Sequence, residues 1–83
     1  MYFVYILYSE IINKYYIGCT EDLDRRLDEH NRGLSSFTSK GTPWKRVYWE
    51  EFKTLGEARR REIEVKKKKS RKYIEYLIKS SGS

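Results

Sequence analysis

The segment YYIGCTEDLDRRLDEHN, residues 15 to 31, gathers two tyrosines, a glycine, an arginine pair and the chain's only histidine. Arginine presents a planar fork of donors, histidine changes charge near neutrality, and a tyrosine hydroxyl can both donate and accept a proton. Together they could form an active site. The same residues also read as a strand, a turn and a surface helix, so the side of the helix on which each one falls has to be established.

At 3.6 residues per turn, with Leu23 at zero, Leu27 falls at about +40°, His30 at about −20° and Arg26 at about −60°. Arg25 lands at roughly 200°, facing solvent. Arg26 therefore borders the buried face and His30 lies within it. Downstream, with Leu55 at zero, Ala58 falls at about −60°, Val65 at about −80° and Glu62 at about −20°, whereas Glu64 at roughly 180° faces water. Glu62 thus lies inside an apolar stripe, where an ionised carboxylate is costly without a partner. Two readings stay open: a structural pair with a cation such as Arg26, or a metal ligand. Tyr5 and Tyr16 read as aromatic neighbours on adjacent strands. Gly18 reads as a bulge, or as a point where another backbone or a phosphate approaches closely. His30 by itself reads equally as a hydrogen-bonded core residue.

The elements that must carry these residues follow from pattern. Tyr2 to Tyr8 is apolar on both faces and too short for an independent helix, which predicts a central strand covered on two sides. SEIINK turns the chain, Tyr15 to Gly18 returns as a second strand, and residues 46 to 52, RVYWEEF, form a third. Thr20 is a candidate cap for a helix starting at Glu21 and closed by Gly33. Thr54 and Glu57 fit a capping box for a helix reaching about Lys67. Ser70 caps a last helix with Ile74, Leu77 and Ile78 as its apolar stripe. GLSSFTSKGTPW, between the first helix and the third strand, reads as a polar, mobile loop. The order β-β-α-β-α-α predicts an α+β domain over residues 1–79, with 80–83 as a flexible tail.

Eighty-three residues allow one small core, and Cys19 has no partner for a disulfide, which points to a reducing, cytoplasmic setting. Eight Tyr, three Phe and two Trp supply bulk that compensates for shortness. The apolar N-terminal run is too short to span a bilayer. The net charge of +6 is concentrated: Arg59 to Lys72 holds nine Lys or Arg against Glu62 and Glu64. Such a block suits a polyanion, nucleic acid ahead of an anionic membrane, although a solvated helix face has the same composition.

VYIL at 4 to 7, YIG at 16 to 18, an arginine eight residues past Gly18 and a helical glutamate downstream together resemble the GIY-YIG nuclease superfamily. Up to about Ile78, the chain looks like its small stand-alone bacterial members, related to the N-terminal nuclease domain of excision repair. The resemblance implies a three-stranded antiparallel sheet flanked by helices and hydrolysis of DNA phosphodiesters with one divalent metal; the oxygen preference of Mg²⁺ or Mn²⁺ suits one carboxylate completed by waters and phosphate. By position, it implies Tyr5 and Tyr16 as the motif tyrosines, Arg26 as the helical arginine and Glu62 as the metal-holding glutamate. Two positions depart from it. Phe3 stands where the first motif opens with glycine, and Cys19 where excision-repair relatives carry a lysine, a role that Lys40 or Lys66 could fill.

On this reading Glu62 holds the metal, Arg26 grips phosphate oxygens, Tyr5 orients or deprotonates the attacking water, Tyr16 holds phosphate or water, and His30 relays a proton. Arg59, Arg60, Lys66, Lys67, Lys69 and Lys72 track the DNA backbone, with RNA left open as a substrate. The expected function is a structure-selective DNA endonuclease of repair or processing. The alternatives are a non-catalytic nucleic-acid-binding module of the same fold and an interaction domain that docks on an acidic protein.

Overall fold

In the computed structural model, which describes residues 1–81, Tyr2–Ser9 forms β1, the middle strand of a three-stranded sheet. Lys14–Thr20 (β2) and Trp44–Phe52 (β3) pair antiparallel on its two sides. The helices are Leu23–Asn31 (α1), Leu55–Lys68 (α2) and Arg71–Ser80 (α3), giving the expected order β-β-α-β-α-α and an α+β architecture.

The apolar run of β1 is explained by cover on both faces. Val4, Tyr5, Ile6 and Leu7 are all buried. On one face Tyr5, Leu7 and Trp44 pack with Tyr16 and with Leu23 and Leu27 of α1. On the other, Ile6 packs with Val65 of α2 and Leu77 of α3. Fully burying each such aliphatic side chain is worth about 1.5–3 kcal/mol, so the two half-cores hold the helices on opposite faces of one thin sheet. Among the described residues, no helix is long and apolar enough to cross a membrane.

Several boundaries differ from the expected ones. The cap of α1 is Asp22, not Thr20, and the helix starts at Leu23 instead of Glu21. Thr20 is still in β2, where its hydroxyl oxygen accepts from the Asp22 amide at 3.1 Å, and the Asp22 carboxylate then accepts from the Arg25 amide. A carboxylate both satisfies an orphan donor and complements the helix dipole. Gly33 closes α1 as expected: at φ +75° it lets the Leu34 amide reach the Glu29 carbonyl at 3.0 Å. β2 runs two residues past Gly18, to Thr20, and β3 starts at Trp44 instead of residue 46. Asn31 explains the latter, because its side chain brackets Trp44, accepting from the Trp44 amide and donating to its carbonyl. The Thr54–Glu57 capping box and the Ser70 cap form as expected. α3 reaches Ser80, the first residue of the segment read as a tail, and the part of that tail past Ser81 lies outside the described residues.

Arg61 fastens α2 to its neighbours. Its guanidinium donates to Glu50 of β3 at 3.0 Å and to the Tyr73 hydroxyl of α3 at 3.2 Å, and it also meets Glu64. This locks the rotation of α2 and so fixes where the adjoining Glu62 points.

Candidate active site

The site is organised by the pleat of β1 and β2. Tyr5 stands directly across from Gly18, and Tyr16 across from Leu7, so the two tyrosines are diagonal neighbours with ring centroids 6.3 Å apart. Gly18 makes this possible. A Cβ there would lie 2.6 Å from Cζ of Tyr5, so the tyrosine ring occupies the space that a side chain would fill. The close approach expected at this glycine is therefore made by a side chain of its own sheet, not by a backbone, and the register of the β1–β2 pair is unbroken there.

Laid over Gly18, Tyr5 meets His30 of α1, its hydroxyl 3.0 Å from Nε2. The other ring nitrogen, Nδ1, is 2.7 Å from Oγ1 of Thr38, and the Thr38 hydroxyl donates to the Ser35 carbonyl. With its proton turned to that carbonyl, 3.4 Å away, Thr38 would accept from Nδ1–H. That leaves Nε2 bare, to accept from Tyr5. The result is a directed chain from Tyr5 through His30 and Thr38 to the Ser35 carbonyl. Both His30 and Thr38 are fully enclosed.

Thr38 belongs to the segment expected to be a mobile polar loop. Instead its side chain is buried, its carbonyl accepts from the Trp44 indole at 2.7 Å, and Ser39–Gly41 forms a 3-10 turn. Thr38 is the residue that sequence reasoning missed. No periodicity marks it, and only its place in a Ser/Thr-rich turn before Trp44 could have drawn notice.

Burial dominates the electrostatics. It pushes the Tyr5 hydroxyl up to about 12, against the opposing influence of Arg26, which acts both as a hydrogen-bond partner and as a positive charge. His30 is driven down to about 4, first by burial and then by the Arg26 charge. At neutral pH the pair is a neutral phenol donating to a neutral imidazole.

Arg26 and Glu62 converge on this phenol from α1 and α2, each acting on its charge. They do not pair with each other. Arg26 donates to Glu29 at 3.0 Å, whereas Glu62 accepts from Lys66 one helical turn on, at 2.8 Å. The structural partner of Glu62 is thus a lysine of its own helix, which an i,i+4 spacing brings alongside. The Glu62 side chain is 16% exposed, open at one edge rather than sealed. Arg25 and Glu64 are exposed, as their helical angles require. Burial pushes the Cys19 thiol up, with Glu62 adding to the effect and Arg59 opposing it.

The basic block divides around α2. Arg59 lies near Cys19 and Glu62, and Lys66 lines a hollow with Tyr16 and Phe37. Lys69 shares a groove with Lys14 and Tyr15, and Lys72 another with Tyr15 and Tyr76. Arg60 instead lies with Phe52 and Glu57, apart from the tyrosines, and Lys67 is exposed. Of the two lysines considered for the role of the residue after Gly18, Lys66 bonds Glu62, and Lys40 lines a cleft with Tyr16 and Trp44.

Comparison with known proteins gives the family. The model of the GIY-YIG catalytic domain matches residues 1–74. A UPF0213 protein of Listeria welshimeri is 39% identical over 67 residues, 80% of this chain and 74% of the relative. One from Clostridium perfringens is 38% identical over 81% of this chain and 72% of its own length. A third, from Staphylococcus aureus, is 36% identical over 78% of this chain and 79% of its own. No solved structure matches at the level at which these relatives do. With nearly all of its strands and helices inside the matched span, the chain belongs to the GIY-YIG catalytic domain family, a family of nucleases.

Proposed function

We propose that this protein is a divalent-metal-dependent endonuclease that hydrolyses phosphodiester bonds in DNA, selecting substrates by structure in repair or processing. The observation that carries the reading is the directed Tyr5–His30–Thr38 chain, on which Arg26 and Glu62 converge from two different helices.

Hydrolysis requires a positioned water, an acceptor for its proton and donors for the phosphate oxygens. Tyr5 would hold the water. Its hydroxyl takes a proton from the water as its own passes to Nε2 of His30, which is why a neutral phenol with a bare imidazole nitrogen behind it serves better than an isolated tyrosine. Thr38 fixes the tautomer in which Nε2 is bare, and the proton taken up there would leave again through Tyr5, because burial and the Arg26 charge disfavour the imidazolium. Arg26, only a third exposed and already aligned by Glu29, would grip two phosphate oxygens with its fork. Tyr16, whose ring lies 4.9 Å from that of His30, would hold phosphate or water beside Tyr5.

The donor chemistry fits a hard ion held loosely. Glu62 offers a single carboxylate, and among the described residues no three His, Cys, Asp or Glu cluster into a closed cage. Mg²⁺ or Mn²⁺ characteristically takes one or two carboxylates and completes its shell with waters and phosphate, whereas structural zinc requires four protein ligands. Bound at Glu62, such an ion would neutralise the phosphate and stabilise the departing 3′-oxygen.

The test is cleavage of a labelled panel of single-stranded, flapped, branched and duplex DNA with Mg²⁺, Mn²⁺ or EDTA, comparing wild type with Glu62→Ala, Arg26→Ala and the control Arg25→Ala. Metal-dependent cutting is expected in wild type and Arg25→Ala and absent from the other two. Salt-sensitive DNA binding without any cutting by wild type would favour the binding module instead.

A further inference from the structure

Beside the candidate catalytic tyrosines lies a side chain that none of the foregoing uses. Phe37 is 84% exposed, the most exposed large hydrophobic residue among those described. A phenyl in water contributes nothing to the core, yet this one does not hang on loose backbone. The next residue, Thr38, is buried and tied through its side chain to His30 and through its carbonyl to Trp44. The Phe37 ring is thereby held 5.9 Å from the Tyr16 ring, tilted 51° to it. It borders a cleft of about 420 Å³ shared with Tyr16 and Trp44 and flanked by Lys14 and Lys40. A second hollow of about 400 Å³, also lined by Tyr16 and Phe37, carries Lys66.

We propose that Phe37 is a stacking platform for an unpaired base of the DNA substrate, so that the site favours single-stranded or unpaired nucleotides over duplex. This deepens the nuclease reading and rests on it. An exposed aromatic face interleaved with ammonium groups is the chemistry by which proteins hold single strands: each base has a π-face for stacking, and the lysines follow the backbone phosphates. A base inside a duplex already has neighbours on both faces and has none to offer. An apolar protein segment would fill the cleft equally well, but it would leave Lys14 and Lys40 without a charge complement, and that favours the nucleic acid.

The experiment uses the whole chain in EDTA, so that binding is read without cleavage. Single-stranded oligonucleotides carry 2-aminopurine at successive positions, and its fluorescence reports stacking. Phe37→Ala and Phe37→Leu are expected to weaken single-strand binding roughly tenfold and to abolish the quench, while Phe37→Trp retains both. Duplex affinity stays unchanged in all three. Equal losses for single strand and duplex, or a leucine as good as phenylalanine, would overturn the platform. The nuclease reading fails separately: wild type that binds and quenches but cuts nothing with Mg²⁺ or Mn²⁺ removes catalysis and keeps the platform. Wild type and Phe37→Ala cutting single strand and duplex in the same ratio keeps catalysis and removes the platform.

Discussion

The Tyr5 hydroxyl lies 3.0 Å from Nε2 of His30, and separating the two would leave a ring nitrogen of the fully buried His30 unsatisfied. Tyr5 comes from the central strand and His30 from the last turn of α1, 25 positions apart. Their meeting is the link that the proposed mechanism uses as a proton path.

If that path carries the proton, Tyr5→Phe should lower single-turnover cleavage by about 100-fold or more, within the usual range for general acid–base groups. Thr38→Val should lower it too, although Thr38 touches no substrate, because it removes the acceptor that fixes the imidazole tautomer. The buried Nδ1–H left behind would cost about 1–3 kcal/mol in urea unfolding. A Thr38→Ser variant, which restores the acceptor, should recover the rate. Wild-type cleavage by Thr38→Val would remove the positioning role.

His30 also predicts how stability varies with pH. Its folded value is about 4 against an ordinary 6.5, so between these limits the unfolded chain binds the extra proton. The contribution is complete above about pH 6.5 and is lost as pH falls toward about 4, amounting at most to roughly 3 kcal/mol. Urea midpoints measured across that interval should fall with pH in wild type, and the slope should flatten in His30→Gln. Identical slopes in the two would contradict a neutral, buried His30.

Gly18→Ala probes the close approach of Tyr5. A methyl 2.6 Å from Cζ of Tyr5 forces the ring to move, with an overpacking cost of about 1–3 kcal/mol. Cleavage should fall because the hydroxyl leaves His30. In a double-mutant cycle, Tyr5→Phe made in the Gly18→Ala background should cause little further loss of rate. Additive losses would mean that Gly18 acts through something other than Tyr5.

The division of the basic block predicts unequal salt effects. Arg59→Ala and Lys66→Ala, on the side of Glu62 and Tyr16, should each weaken DNA binding and reduce the slope of log affinity against log salt by about one. Arg60→Ala, among Phe52 and Glu57, should leave the slope unchanged. Equal slopes for all three variants would mean that DNA wraps the helix or does not meet it.

What the sequence determined by itself is what local physics controls. The two-sided apolar run of β1, the capping box at Thr54 and the glycine stop at Gly33 depend on neighbours a few positions away, and so does the helical angle that sets Arg26 apart from Arg25 and turns Glu62 toward the sheet. Each was legible before any fold was known. Charge partners were not. Of the two readings of Glu62, the pair with a cation is made with Lys66 and not with Arg26, which turns to Glu29, because several partners lay within reach and only the mutual placement of α1 and α2 decided among them. Thr38 and Phe37 were equally hidden. Consecutive residues of one turn, one is sealed against His30 and the other left in water, an outcome set by how the turn docks between α1 and β3 and by no pattern within it.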